Sequence, residues 1–158
     1  SILESVLKEE TNLSEKYPEI LYLEEKERME IIPGVLKIKG KIDRVDANAS
    51  GKECLVIDYK TSRDVSGIIS KAKKLEKLQL MLYAKMVEVK NPALKVKGIC
   101  IYGLRDGKIF DIEVDDISGF IKNALKKAEE TVINIRNGNF SKPEKRKCWR
   151  CKYQGICR

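Results

Sequence analysis

The spacing of apolar positions changes repeatedly along this chain, and each change marks an element. Residues 2–10 (ILESVLKEE) read as the stump of a helix, as expected of an excised or truncated domain. Residues 20–32 (ILYLEEKERMEII) fit more than one period, but Pro33-Gly34 is a turn signal, so the end of this run reads as a strand. Residues 35–46 (VLKIKGKIDRVD) alternate: Leu36, Ile38 and Ile42 face one way, Lys37, Lys39, Lys41 and Asp43 the other. Asn48-Ala49-Ser50-Gly51 marks a hairpin turn, and 53–60 (ECLVIDYK) is a strand whose apolar start suits the centre of a sheet. A polar loop is expected over 61–70. Leu75, Leu78, Leu82, Met86 and Val89 then predict an amphipathic helix over 71–89, stopped by Asn91-Pro92. Residues 95–104 and 107–114 predict a hairpin around Arg105-Asp106-Gly107. Ile117, Ile121, Ala124, Ala128, Val132 and Ile135 predict a second long helix over 116–136, capped by Asp115 or Asp116 and ended by Gly138. This order predicts an α/β fold: a central mixed β-sheet flanked by helices.

The 158 residues suit one domain, and 42% apolar content is enough for a core. With no histidine, His-based triads, His general bases and His metal ligands are excluded within this sequence. No apolar run approaches the roughly 18 residues of a membrane span, and the charged start LESVLKEE argues against a signal peptide. No membrane partner is therefore expected. The net charge of +8 comes from 32 Lys+Arg against 24 Asp+Glu. A solvated Lys/Glu-rich surface explains such a balance as well as a polyanion partner does. Its distribution says more: residues 142–158 carry seven basic side chains against Glu144 alone. Of five cysteines, Cys54 and Cys100 sit in apolar runs and read as buried small hydrophobes, while Cys148, Cys151 and Cys157 crowd the polar end. An odd, uneven set suits a reducing, cytoplasmic setting better than a disulfide framework. A core over 1–140 and a basic Cys-rich tail over 141–158 are the expected divisions.

Three groups of residues carry candidate chemistry. Asp58 and Lys60 lie two apart on a strand and project from one face, about 6–7 Å apart. Asp43 lies near the end of the preceding strand. Pairing about the turn at 47–52 is expected to leave Asp43 and Asp58 out of register, so that bends or bulges must bring them together. Two carboxylates can hold a hard divalent cation, and a nearby ammonium can orient or deprotonate water and offset charge on a phosphate. Taken singly, an Asp at a strand end is more often a turn cap and the Lys a solvated one. Gln79 and Tyr83 stack at i and i+4 on the following helix, where Gln79 can orient catalytic groups and Tyr83 can meet a phosphate or stack on a base. A surface Gln and a core Tyr are the plainer alternative. Finally, Cys148-x2-Cys151-x5-Cys157 is too tight for core cysteines, and thiolates at this spacing want a soft metal.

The set GKIDRVD (40–46), VIDYKTS (56–62) and QLMLY (79–83) resembles the RecB-like branch of the PD-(D/E)XK nuclease superfamily, over roughly residues 20–158. This branch includes the RecB and AddB nuclease domains and CRISPR-associated RecB-type exonucleases. The resemblance implies a restriction-endonuclease-like core with a Cys-rich C-terminal tail. It implies Asp43 and Asp58 as ligands of Mg²⁺ or Mn²⁺, the main-chain carbonyl of Tyr59 as a further ligand, and Lys60 as the catalytic lysine. Gln79 and Tyr83 match its QxxxY motif. Glu25 resembles an upstream acid of many members, with Glu24, Glu27 and Glu30 competing. Cys148, Cys151 and Cys157 resemble the last three ligands of a 4Fe-4S cluster, with zinc or a disulfide as alternatives. The sequence departs from that pattern in lacking a histidine in an N-terminal helix and a fourth cysteine upstream.

The implied function is a metal-dependent DNA nuclease, an exonuclease of DNA repair, recombination or CRISPR adaptation. Its partners would be DNA and a helicase or CRISPR adaptation proteins. Lys145, Arg146, Lys147 and Arg150 would grip the backbone, with Tyr83 also touching nucleic acid. The alternative is a non-catalytic DNA-binding or scaffold module of a helicase–nuclease assembly. A zinc-ribbon-like domain using only the tail is a third.

Overall fold

A computed structural model describes residues 1–139. The elements are α1 (Ile2–Lys16), β1 (Glu19–Ile32), β2 (Leu36–Ala47), β3 (Glu53–Lys60), α2 (Val65–Lys73), α3 (Gln79–Lys90), β4 (Lys95–Gly103), β5 (Lys108–Asp111) and α4 (Ile117–Arg136). The strands form one sheet in the order β1-β2-β3-β4-β5. Pairing is antiparallel except between β3 and β4, which run parallel. A parallel step needs a crossover, and α2 and α3 supply it. The result is a mixed sheet flanked by helices, the restriction-endonuclease-like α/β arrangement that the sequence indicates.

The turns follow from residue chemistry. Val35 N–H donates to Ile32 O at 3.0 Å, with Pro33 second and Gly34 third at φ 68. Those are the requirements of a type II turn. Between β2 and β3 the Asn48 side-chain oxygen accepts from Lys52 N and Glu53 N, both at 3.2 Å, and Gly51 takes φ 65.

The sheet buries both faces along β3. One side packs Val45, Ala47, Cys54, Val56, Ile99 and Ile101 against Met81, Ala84 and Val87 of α3 and Ile121 and Ala124 of α4. On the other, Ile57, Cys100 and Tyr102 pack against Leu13 of α1. Cys54 and Cys100 are buried free thiols, as their apolar surroundings in sequence indicate. Burial pushes the Cys54 thiol up to about 12.

The helices differ from expectation in instructive ways. The polar loop expected over 61–70 contains the start of α2, where Asp64 caps the helix by accepting from Gly67 N–H at 2.8 Å. The single helix expected over 71–89 is broken at Leu75, which takes φ 54, and α3 begins only at Gln79. Leu75 and Leu78 therefore share no stripe with Leu82, Met86 and Val89. α3 buries Leu80, Met81, Ala84, Met86 and Val87 and leaves Val89 exposed. It is apolar around most of its circumference, so periodicity cannot select its buried face and packing does. α1 runs past Glu10 to Lys16 because Leu13 finds a buried place; it ends at Tyr17, before Pro18. β5 stops at Asp111, short of Val114. At α4, Asp116 is the cap, accepting from Gly119 N–H at 3.0 Å, and Gly138 lies beyond the end at φ 71.

Candidate active site

β2 and β3 pair through Ala47–Cys54, Asp46–Leu55, Val45–Val56 and Arg44–Ile57. One further step in this register sets Asp43 opposite Asp58. The expected mismatch between the two aspartates is therefore wrong. Asn48 N–H donates to Glu53 O at 2.9 Å, and counting out from that closure gives two arms of equal length. Past this point the β2–β3 ladder ends while β2 continues against β1. Where it ends, the Tyr59 N–H donates at 2.9 Å to Oδ2 of Asp43, so a side chain ties the strands together.

Asp58 is 2% exposed. The Lys60 ammonium forms an ion pair with its Oδ2. The same oxygen accepts no properly directed hydrogen bond. Both hold together: the contact is electrostatic, and the oxygen's lone pairs still lack a donor along their own direction. Burial raises the Asp58 carboxyl above the usual carboxylate range. Lys60 pulls it back down, and the Asp43 carboxylate pushes it up again. Such a group favours either a proton or a cation.

The donor set fits a hard divalent ion: a buried carboxylate oxygen held only by the Lys60 ammonium, a second carboxylate opposite it, and only oxygen ligands. Tyr59 sits between Asp58 and Lys60, so its carbonyl lies on the same short stretch. Among the described residues no three acidic or thiol side chains gather around one point. Glu25 is not brought to the pair; Lys90 Nζ lies 3.2 Å from its Oε1. Glu27 also pairs with Lys90, and Glu24 pairs with Lys41.

Gln79 is exposed at the start of α3 and donates from Nε2 to the Tyr83 hydroxyl at 3.2 Å. The Tyr83 ring lies on the backbone of Gly40. A Cβ there would stand 2.9 Å from the Tyr83 oxygen and 3.0 Å from Cζ. The glycine opening GKIDRVD is thus what lets the QxxxY helix lie against β2, three residues before Asp43. Sequence reasoning quoted Gly40 without seeing that contact. It also quoted Arg44 and Asp46 without a role, and both are buried. Alternation alone could have flagged Asp46, since an acid within an apolar strand needs a partner.

Cys148, Cys151, Cys157, Lys145, Arg146, Lys147 and Arg150 lie outside the described residues. A cleft of about 420 Å³ lies elsewhere, between α1 and β3–β5, lined by Leu13, Tyr17, Cys100 and Asp111, and it does not include the aspartate pair.

Two solved structures are similar in part. One is a protein from Eubacterium rectale named as a putative exonuclease, at 16% identity and TM-score 0.48, with 98% of this chain and 59% of that one covered. The other, designated SSO0001, is 18% identical with TM-score 0.43, and 96% of this chain and 66% of that one are covered. This chain thus spans less than two thirds of either length. No curated protein matches it in sequence. The family comparison covers every residue: 1–158 match the PD-(D/E)XK nuclease superfamily. With its α/β core setting two acids opposite one another at the end of one strand ladder, the chain belongs to the PD-(D/E)XK nuclease superfamily.

Proposed function

We propose that this chain is a Mg²⁺- or Mn²⁺-dependent deoxyribonuclease of the RecB-like type, cleaving DNA from an end in repair, recombination or CRISPR adaptation. The observation that carries the reading is Asp58: a buried carboxylate with an undirected oxygen, opposite Asp43 and against Lys60. Membership of a nuclease superfamily supports it. Asp43, Asp58 and the Tyr59 carbonyl would hold the ion. When bound, the ion supplies Lewis-acid polarisation of the phosphate and a lowered pKa for water. Lys60 positions the attacking water and offsets negative charge growing on the phosphoryl oxygens. As the water oxygen bonds to phosphorus, the ester P–O bond breaks and the proton lost by water ends on solvent or the leaving oxygen. Gln79 holds the Tyr83 hydroxyl, so that Tyr83 faces nucleic acid in one orientation. Lys145, Arg146, Lys147 and Arg150 would bind the phosphate backbone without reading sequence, so binding should fall steeply with salt. Cys148, Cys151 and Cys157 would hold an iron–sulfur cluster with a fourth ligand from elsewhere. Partner helicase or CRISPR adaptation proteins would deliver the DNA end.

The test is titration of Mg²⁺ and Mn²⁺ with end-labelled single- and double-stranded DNA, comparing wild type, Asp58→Ala and Lys60→Ala. Metal-dependent cleavage abolished by Asp58→Ala and strongly reduced by Lys60→Ala is expected. Cleavage that survives both substitutions refutes the site. A second reading, a DNA-binding module without catalysis, is favoured by the diversion of Glu25 to Lys90; DNA binding without cleavage under any metal would establish it. Visible absorption and metal analysis of an anaerobic preparation distinguish iron–sulfur from zinc in the tail.

A further inference from the structure

Between the two aspartates and the rear of the sheet lies a second set of charges that the cleavage chemistry does not use. Arg44 follows Asp43 on β2, and Tyr59 follows Asp58 on β3. Successive strand residues face opposite ways, so both turn from the site toward α1. Tyr59 indeed packs with the Leu13 cluster there, its ring 5.6 Å from that of Tyr102. Arg44 Nε donates to both oxygens of Asp46, at 2.8 and 2.9 Å, and one terminal nitrogen lies 2.7 Å from the same carboxylate. The two terminal nitrogens also reach Glu10 of α1, at 2.9 and 3.0 Å. One side chain thus grips its own strand and the helix behind it.

Asp46 is fully buried and Arg44 nearly so. Burial opposes the Arg44 charge, but its hydrogen bonds outweigh that and hold its pKa above the ordinary value. Such an assembly costs desolvation that an apolar cluster of the same volume would avoid, so stability alone is a weak reason for it. Its distinctive effect is directional. A planar fork bonded through all three of its nitrogens fixes the backbone of the residue that carries it. That residue is joined to Asp43, at the point where the β2–β3 ladder ends and the strand is paired on its β1 side alone.

We propose that Arg44 is a positioning residue for the metal site: clamped by Asp46 and Glu10, it sets the Asp43 carboxylate against Tyr59 N–H and opposite Asp58. The proposal rests on the nuclease reading above. It also makes α1, through Glu10, part of the metal site's support.

The experiment measures Mn²⁺ binding to the full 158-residue chain by the loss of the free-ion paramagnetic resonance signal, counting only the binding that Asp58→Asn removes. Arg44→Lys, Glu10→Gln and the apolar triple Glu10→Leu/Arg44→Met/Asp46→Leu are compared with wild type. Circular dichroism and melting in chelator report folding. Roughly tenfold or greater weakening in Arg44→Lys and in the triple, with native spectra and sharp melting, is expected of a group that orients a ligand. Glu10→Gln should weaken binding less, since its amide oxygen still accepts. Binding within about twofold of wild type in a folded Arg44 variant overturns the proposal. If neither Arg44 variant folds, Glu10→Gln decides, because Glu10 lies at the surface end of the clamp; an unchanged midpoint there overturns it too. Wild type that binds no Mn²⁺ defeats the nuclease reading itself and this proposal with it, an outcome recognisable before any variant is made.

Discussion

Replacing Gly40 with alanine tests whether the QxxxY helix is seated on β2 as described. The new Cβ would stand 2.9 Å from the Tyr83 oxygen and 3.0 Å from Cζ, whereas ordinary contacts begin near 3.4 Å. Backbone strain is not involved, since Gly40 is not among the glycines at positive φ. The ring carbon Cε1 would stand closer still, so something must move by about an ångström, and the free end of a half-buried tyrosine yields first. Turning Tyr83 off its rotamer costs about 0.5–1.5 kcal/mol. Losing the hydrogen bond from Gln79 costs about 0.5–1.5 kcal/mol more. Against this, alanine in a strand gains about 0.5–1 kcal/mol over glycine. The net expectation is a loss of about 0–2.5 kcal/mol, read as a fall in Tm of roughly 2–4 °C per kcal/mol for a chain of this size. The decisive measurement is a double-mutant cycle by urea unfolding. With Tyr83→Ala in place there is no ring to displace, and Gly40→Ala should become neutral or stabilising by up to about 1 kcal/mol. A coupling of about 1–3 kcal/mol is expected. Coupling below about 0.3–0.5 kcal/mol would mean that Tyr83 does not rest on Gly40, and the seating of α3 at the site would be refuted. The single variant should also lose DNA cleavage more than it loses stability, since the displaced residue belongs to the proposed site.

Asp58→Asn should stabilise the metal-free protein at neutral pH by on the order of 0.5–2 kcal/mol while abolishing Mn²⁺ binding, the usual opposition of site and stability. Thermal melting in chelator, with and without added Mn²⁺, checks both halves. The pH dependence follows from the same group. Its folded pKa is raised by burial, so the folded chain keeps a proton that the unfolded chain has lost. Wild-type metal-free stability therefore falls as pH rises from about 3.9 through the raised folded value, and Asp58→Asn removes that component. Mn²⁺ affinity should run the other way, weakening as pH drops through the same value, because the ion must displace the proton; a flat profile would contradict the buried ligand. Asp64→Ala removes the cap of α2 and should cost about 0.5–2 kcal/mol, measured by chemical unfolding, since the Gly67 N–H would lose its capping acceptor.

The candidate site was legible because its residues are polar types at fixed spacings within recognisable strands. Asp58 and Lys60 close β3, Asp43 lies inside β2, and the Asn48–Gly51 turn between the strands is unmistakable. The buried core strand and the capped α4 were legible for the same reason, since period and cap agree. The break between α2 and α3 was not. Nothing in the local pattern marks Leu75 for φ 54, and a leucine accepts that conformation only where its surroundings require it.

By itself, the sequence determined the strand order along the chain, the first and last helices and the mixed sheet, and it singled out the candidate acids and lysine, because short-range periodicity and turn chemistry act between residues close in the chain. Only the tertiary structure decided that Asp43 falls opposite Asp58, that Tyr83 lies on Gly40, that Glu25 goes to Lys90, and that Arg44 is clamped by Glu10 from a helix 34 residues away. Each of these is a contact between elements. Such contacts depend on register, twist and which face of a uniformly apolar helix finds the core, and no local pattern encodes those.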